Sequence, residues 1–396
     1  MSEKNKELLK NLKILTKKYF ELKEKNPEDF LIDLDKTEEY KEVISILNLD
    51  KFANELFYKK LLKDDFDIYI GSPQEIVDDF LNKINEKSKK YDDEIFNKIY
   101  NSFENFLYGN FLEADHIICL YNYYQTMPIL SLSPQINIRK STVKEKKEEL
   151  QDNPSSFTVS SLLYDFVIEV KTKVKKEISD DKSISLHPRL EEYNKITNIF
   201  DIVLNSLRVL KKSSVFLSNR NITEVNAFSS QSQVTSISTN FKPIFVGDIF
   251  RVNEEESDKL KKVFNFINNN IDEKRLRIAI ARLNDGITRD SLIDMLIDYM
   301  IGLEAIYLPD GNEELSYRLA MRIAYNVESE FEKRKQLFND VKKYYNKRSK
   351  GVHGNISDLT IEDVDKVEEI LRKSILLWKD NASIFESKNL TYNFFS

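Results

Sequence analysis

With eight glycines and eight prolines in 396 residues, this chain has few places to turn sharply or to break a helix, because those two residues supply most tight turns. Long helices joined by few connectors are expected. The spacing of apolar residues says where they lie. In residues 4–63, Leu8, Leu12, Leu15, Tyr19 and Phe20 recur at helical intervals, with turn signals at Asn26-Pro27 and over residues 33–36. Residues 73–108 carry a second stripe of Ile76, Phe80, Ile84, Ile95, Ile99 and Phe103, and residues 112–124, with His116 and Cys119, read as a further helix. The period then changes to two. Ile136 and Ile138, and more clearly Phe166, Ile168, Val170, Thr172 and Val174, alternate with other residues as half-buried strands do. A helix over 189–210 precedes more β-like segments at 213–217, 222–228, 234–241 and 244–250. The Ser-rich stretch 229–238 fits a loop or a hairpin edge, and the charged segments 140–153 and 175–182 read as solvated connectors.

After Asn253 the pattern is helical throughout, at about 254–269, 272–283, 290–307, 313–326, 330–349 and 361–384. The expected fold is therefore an α+β domain over residues 1–250 followed by an all-α bundle over 251–396. The last helix opens on Thr360 with Asp363 three residues on, a capping-box pattern, and carries Ile361, Val364, Val367, Leu371 and Trp378 on one stripe. Partners for it are Leu292, Leu296, Tyr299 and Leu303 on one helix and Leu319, Ile323 and Val327 on another. Residues 290–380 hold more apolar helix surface than one bundle of this length is expected to cover, so a two-fold dimer is expected through this region.

Charge and chemistry narrow the function. A net charge of −6 and a pI near 5.5 argue against coating of nucleic acid over the whole surface. Any RNA site must be local. The one cysteine, Cys119, forms no intramolecular disulfide, no apolar run reaches a membrane span, and the first twenty residues mix acids and bases unlike a signal peptide. A cytoplasmic protein without membrane contact is expected. His116, His187 and Cys119 are too sparse for zinc, and neither a phosphate-cradling glycine loop nor a serine elbow is present. No metal or cofactor is expected.

Residues 331–350 hold eight Lys or Arg against Glu332 and Asp340, a local basic helix along which phosphates can track. It ends in Arg348-Ser349-Lys350-Gly351-Val352-His353-Gly354, an Arg and a His separated by four residues. Five positions apart on a continuous helix they differ by about 140°, so both reach one ligand only if Gly351 ends the helix in a left-handed conformation. Histidine moves protons near neutral pH, and arginine stays charged and grips phosphate oxygens. The opposing expectation is that His353 caps the broken helix and Arg348 pairs with an acid. Lys343, Tyr344, Tyr345, Lys347, Ser349 and Lys350 are the expected RNA contacts, with one tyrosine stacking on a base and at least one more simply core. Glu304, positioned to orient a basic group, and Arg318 and Arg322, on one helical face, form a second tier.

Residues 290–294 and 301–305, then 316–324, then Tyr344 to Gly354 resemble successive helices and the motif of the HEPN superfamily, and more closely its Apea-like members, over about residues 272–380. The resemblance implies a homodimer in which two Arg–His pairs face each other and cut RNA without metal, in an abortive-infection or anti-phage setting. Residues 1–250 would then sense a phage-derived trigger or restrain the nuclease. Many active members carry Asn, Asp or His directly after the Arg. Ser349 stands there in this chain, which sustains an alternative: a non-catalytic HEPN scaffold that binds RNA, a nucleotide or a partner protein.

Overall fold

The computed structural model describes residues 3–49, 72–152, 164–175, 190–225, 228, 233–237, 248–309, 314–352, 358–386 and 390. It has an N-terminal α/β region and a C-terminal helical region. Among the described residues the first five helices are α1 (Glu3–Lys25), α2 (Phe30–Asp35), α3 (Glu38–Leu49), α4 (Pro73–Lys87) and α5 (Asp93–Tyr108). The predicted stripe of α1 is the buried one, with Leu8, Leu12, Leu15 and Tyr19 all in the core. The expected single stretch 73–108 is two helices, each with its own start. Ser72 and Glu75 form a reciprocal capping box with Pro73 in the first turn, and Asp92 accepts from the Ile95 amide. Phe80, Phe96, Phe103 and Phe106 converge with Phe228 in one aromatic cluster.

Residues 112–124 are not helical, contrary to expectation. They form β1 (Phe111–Tyr121) and β2 (Tyr123–Gln125), followed by β3 (Ile129–Ser133), β4 (Ile136–Lys140), helix α6 (Val143–Asp152), β5 (Tyr164–Lys175), helix α7 (Leu190–Leu210), β6 (Phe216–Val225), β7 (Gln233–Ile237) and β8 (Phe250–Val252). The sheet order is β3-β4-β5-β1-β6-β7, and β2 pairs in parallel with β8. The cause of the misreading is β1's place between β5 and β6: Phe111 to His116 alternate in burial, but Ile117 to Tyr121 are all buried, so the second half of the strand is an apolar run without the alternation that marks a half-buried one. The segment 140–153, expected as a solvated connector, contains α6. Thr142 and Glu145 exchange capping hydrogen bonds, and the buried Glu145 carboxylate takes both Nη atoms of Arg139 at 2.7 and 3.1 Å. Of the other charged segment, 176–182 lies outside the described residues, as do 229–232 and 238–247 of the Ser-rich and later strand readings.

The C-terminal helices are α8 (Glu254–Asn269), α9 (Lys274–Ile287), α10 (Leu292–Tyr307), α11 (Leu315–Val327), α12 (Phe331–Val352) and α13 (Ile361–Asp380), with a 3-10 turn at Ala382–Phe385. At the centre is α10. A Cβ on Gly286 of α9 would lie 2.1 Å from the Tyr299 ring, an approach that only glycine permits, and one on Gly302 would lie 2.8 Å from the tip of Leu371 of α13, which would have to move. Buried Asp298 takes Arg282 and Arg289 at 2.8 Å each. Leu296, Tyr299, Leu303, Leu319, Ile323, Val364, Val367, Leu371 and Trp378 are all buried within the single chain. Tyr317, Phe331 and Ile361 of the same region stay exposed. The chain forms two compact units, residues 1–117 with 169–196 and 220–237, and residues 118–168 with 197–219 and 238–396. Among the described residues only helices follow Val252, while the second unit also draws on strands and α7 upstream of it. Among the described residues no helix is long and apolar enough to cross a membrane.

Two predictions come from this packing. Buried His116 on β1 bridges Thr223 (2.9 Å) and Thr172 (2.8 Å), and burial pushes its pKa down to about 4. An unfolded histidine takes a proton near pH 6.5, so as pH falls the unfolded chain is protonated first and the native state loses about 3 kcal/mol between about 6.5 and 4. Urea titrations should show the stability gap between wild type and His116→Gln shrinking by that order between pH 7 and 4. Gly286→Ala should lower Tm by several degrees, since the Cβ meets a rigid ring and overpacking costs roughly 1–3 kcal/mol. An unchanged melt would show that α9 and α10 are further apart in solution.

Candidate functional site

Helix α12 presents Val341, Tyr344 and Lys347 to the protein interior, one residue per turn on its inner face. Lys347, expected at an RNA backbone, is 8% exposed; its ammonium donates to the Asp363 carboxylate at 2.6 Å and to the Asp358 carbonyl. Lys343 stands 3.6 Å from the same carboxylate. Burial acts to raise the Asp363 pKa, but the Lys347 hydrogen bond and charge outweigh it and hold the carboxyl below its ordinary range. Asp363 also completes the predicted capping box with Thr360. Lys347 therefore fastens α12 to the start of α13, and Tyr344 is core. The expectation of RNA contact fails for both because charge and aromaticity in sequence do not say which face of a helix is inward. Lys343, Ser349 and Lys350 are exposed and Tyr345 is half-buried.

Arg348 lies one turn from the end of the helix. Its Nη1 is 3.2 Å from Glu304 Oε1 of α10, each side chain 23% exposed, and its guanidinium carbon is 5.7 Å from the centre of the Tyr345 ring. Its buried Nε has no hydrogen-bond partner among the described residues. Burial raises the Glu304 pKa, the Arg348 charge lowers it, and the net direction is up. The pairing of Arg348 with an acid, anticipated as the structural alternative, is thus present, and Glu304 orients a basic group as expected.

Gly351 does not end the helix. It lies within α12, where a Cβ would come 2.0 Å from Ile293 Cδ1; the glycine makes room for α10 instead of reversing the backbone. His353 and Gly354 fall outside the described residues. Of the second tier, Arg322 is buried and donates to the Tyr307 carbonyl at 2.5 Å, a structural role that removes it from any RNA surface, and Arg318 is half-buried. An open groove of about 600 Å³ runs beside this cluster, lined by Glu314, Leu315, Ser316, Tyr317, Lys342 and Tyr345. Tyr317 is 48% exposed and packs edge-on to Phe338 at 5.5 Å. No sequence signal marked Tyr317, because a lone aromatic at the start of a helix reads as core. Tyr345 connects the two features: one ring serves both the groove and the Arg348 guanidinium.

Among the described residues no three His, Cys, Asp or Glu side chains come together as a metal site. Comparison of the chain with protein-family models, with curated proteins and with solved structures finds no match.

The Arg348–Glu304 contact has a direct signature. Because the folded protein holds the Glu304 proton more tightly than the unfolded chain, this group's contribution to stability falls as pH rises. In Arg348→Gln the lowering influence is gone, so carboxyl-carbon NMR should find Glu304 titrating at a higher pH than in wild type. Identical titrations would mean that the pair is not formed in solution.

Proposed function

We propose that this protein is a metal-independent endoribonuclease of the HEPN type, working in the cytoplasm in abortive infection against phage. One observation carries the reading: a half-buried arginine whose Nε has no partner among the described residues stands at the end of a basic helix, beside an aromatic-lined groove and five residues before a histidine. RNA presents what such a place needs. Bases stack on the exposed Tyr317 ring and the half-buried Tyr345 ring, and a phosphate engages the guanidinium. Glu304, its pKa already raised, yields Arg348 to a phosphate more readily than an ordinary carboxylate does. The neighbouring 2′-hydroxyl is the nucleophile that needs least help, being held next to the phosphorus. His353 takes its proton and later returns one to the leaving 5′-oxygen, while Arg348 holds the charge that builds on the phosphate. The N-terminal region senses a phage-derived trigger or restrains cleavage. A homodimer through the C-terminal helices completes the site; this element rests on the family resemblance.

A second reading is favoured by the Arg348–Glu304 pair at 3.2 Å. If Glu304 permanently neutralises the arginine, the bundle is a non-catalytic HEPN scaffold that binds RNA, a nucleotide or a partner protein. Purified wild type, Arg348→Ala and His353→Ala separate the two on total RNA. The nuclease reading expects cleavage in excess EDTA, products with 2′,3′-cyclic phosphate and 5′-hydroxyl ends, and loss of about 10²-fold or more in either variant with unchanged melting. Cleavage that returns only with magnesium, or that persists in both variants, overturns it. RNA binding without cleavage by all three proteins supports the scaffold.

A further inference from the structure

A cavity of about 320 Å³ opens beside α7, bounded by the start of β6 and the last turns of α9. That is about ten times a water molecule's share of the liquid. Two of the charges that line it belong to α7: Asp201 and Arg208, seven residues apart and so within about 20° of one another round the helix. Arg208 keeps 4% of its surface open. Its Nε and Nη2 donate to the Val215 carbonyl at 3.1 and 3.0 Å, and its Nη1 donates to Asn284 Oδ1 at 3.1 Å. Those acceptors are neutral, and the guanidinium forms no ion pair among the described residues. Burial pushes its pKa down to about 10, yet it stays a cation, and a cation so buried ordinarily has an anion against it. Asp201 is its counterpart. It is half-buried, burial pushes its pKa up to about 6 against the pull of Arg208, and its carboxylate makes no hydrogen bond or ion pair among the described residues.

The other charges on the cavity are met by their own partners: Arg289 lies 2.8 Å from Asp298, and Asp285 lies 3.4 Å from Arg282. What remains is one positive and one negative end on a single helix face, neither neutralised by contact. Asn205, between them in the chain, accepts from Asn284 and keeps its own amide hydrogens without an acceptor among the described residues. Leu204, Phe216 and Leu217 supply an apolar wall. A simple anion leaves Asp201 unmet there, and a simple cation leaves Arg208 unmet. A guest that answers the whole lining carries a carboxylate, an ammonium and a hydrocarbon body at once. We propose that this cavity binds a free α-amino acid with an apolar side chain, its carboxylate on Arg208 and Asn205, its ammonium on Asp201 and its side chain along Leu204 and Phe216. The proposal stands apart from the ribonuclease reading.

Isothermal titration of the full chain with L-leucine, L-methionine and L-phenylalanine tests it. The controls are the matching acid without its amino group and the matching primary amide, which for leucine are isocaproate and leucinamide. Saturable one-to-one binding of at least one amino acid is expected, with both of its controls about tenfold weaker or more, the scale of one lost hydrogen bond to a charged group. Asp201→Asn keeps the shape and removes the negative end. It should weaken binding about tenfold or more, with Tm unchanged or raised, since the folded chain already favours an uncharged side chain there. Ala281→Trp fills the mouth from an exposed position on α9, so it should fold normally and weaken binding about as much. No saturable heat for any of the three amino acids at millimolar concentration, a control that binds as tightly as its amino acid, or wild-type affinity in either variant overturns the proposal.

Discussion

Helix α10 has almost no face to spare, and the geometry of the C-terminal region depends on that crowding. Tyr299 rests on a glycine of α9, Leu371 of α13 rests on Gly302, and Ile293 rests on Gly351 of α12. Where two helices touch through a glycine, the axes come closer than ordinary side chains allow and the contact fixes register as well as distance. Asp298 adds a buried charge that two arginines must attend, so rotation of α10 about its axis strands a carboxylate in the interior. The helix is held in rotation by the acid and in translation by the glycines.

That fixity sets the candidate site. Glu304 and Ile293 are both on α10, and Arg348 and Gly351 both on α12, so the Ile293–Gly351 contact brings the Glu304–Arg348 pair into reach. The arginine is placed by packing and held by charge. Its Nε, buried without a partner, is what remains after Glu304 has taken Nη1. A half-buried pair of this kind is worth little to stability, since solvent screens it. Its value lies in presenting a cation at a chosen point beside the Tyr345 ring.

The helices after residue 253 were legible because each has one wet face and one dry face, which imprints a 3.6-residue period on the sequence. The boundaries at Thr360 and Asp363 were legible because capping uses a short list of side chains. Strand β1 was not, since burial on both faces erases the alternation over its second half, Ile117 to Tyr121. Helix α6 was missed because Glu145 reads as a surface charge until Arg139 is seen beside it. At the site, the sequence marked Lys347 as an RNA contact although it is interior, because a buried cation and a solvated one look alike until the partner, Asp363, is placed by tertiary structure. Arg322, a second-tier candidate for RNA or an acid, donates to the Tyr307 carbonyl.

Lys347 also acts across the chain interval that carries His353. Its ammonium binds the carbonyl of Asp358 and the carboxylate of Asp363, so it joins a point before that interval to two points after it. In polymer terms the link closes a small ring, and the entropy of closing such a ring grows only with the logarithm of its length. Loss of the lysine opens the ring and unties the end of α12 from the start of α13.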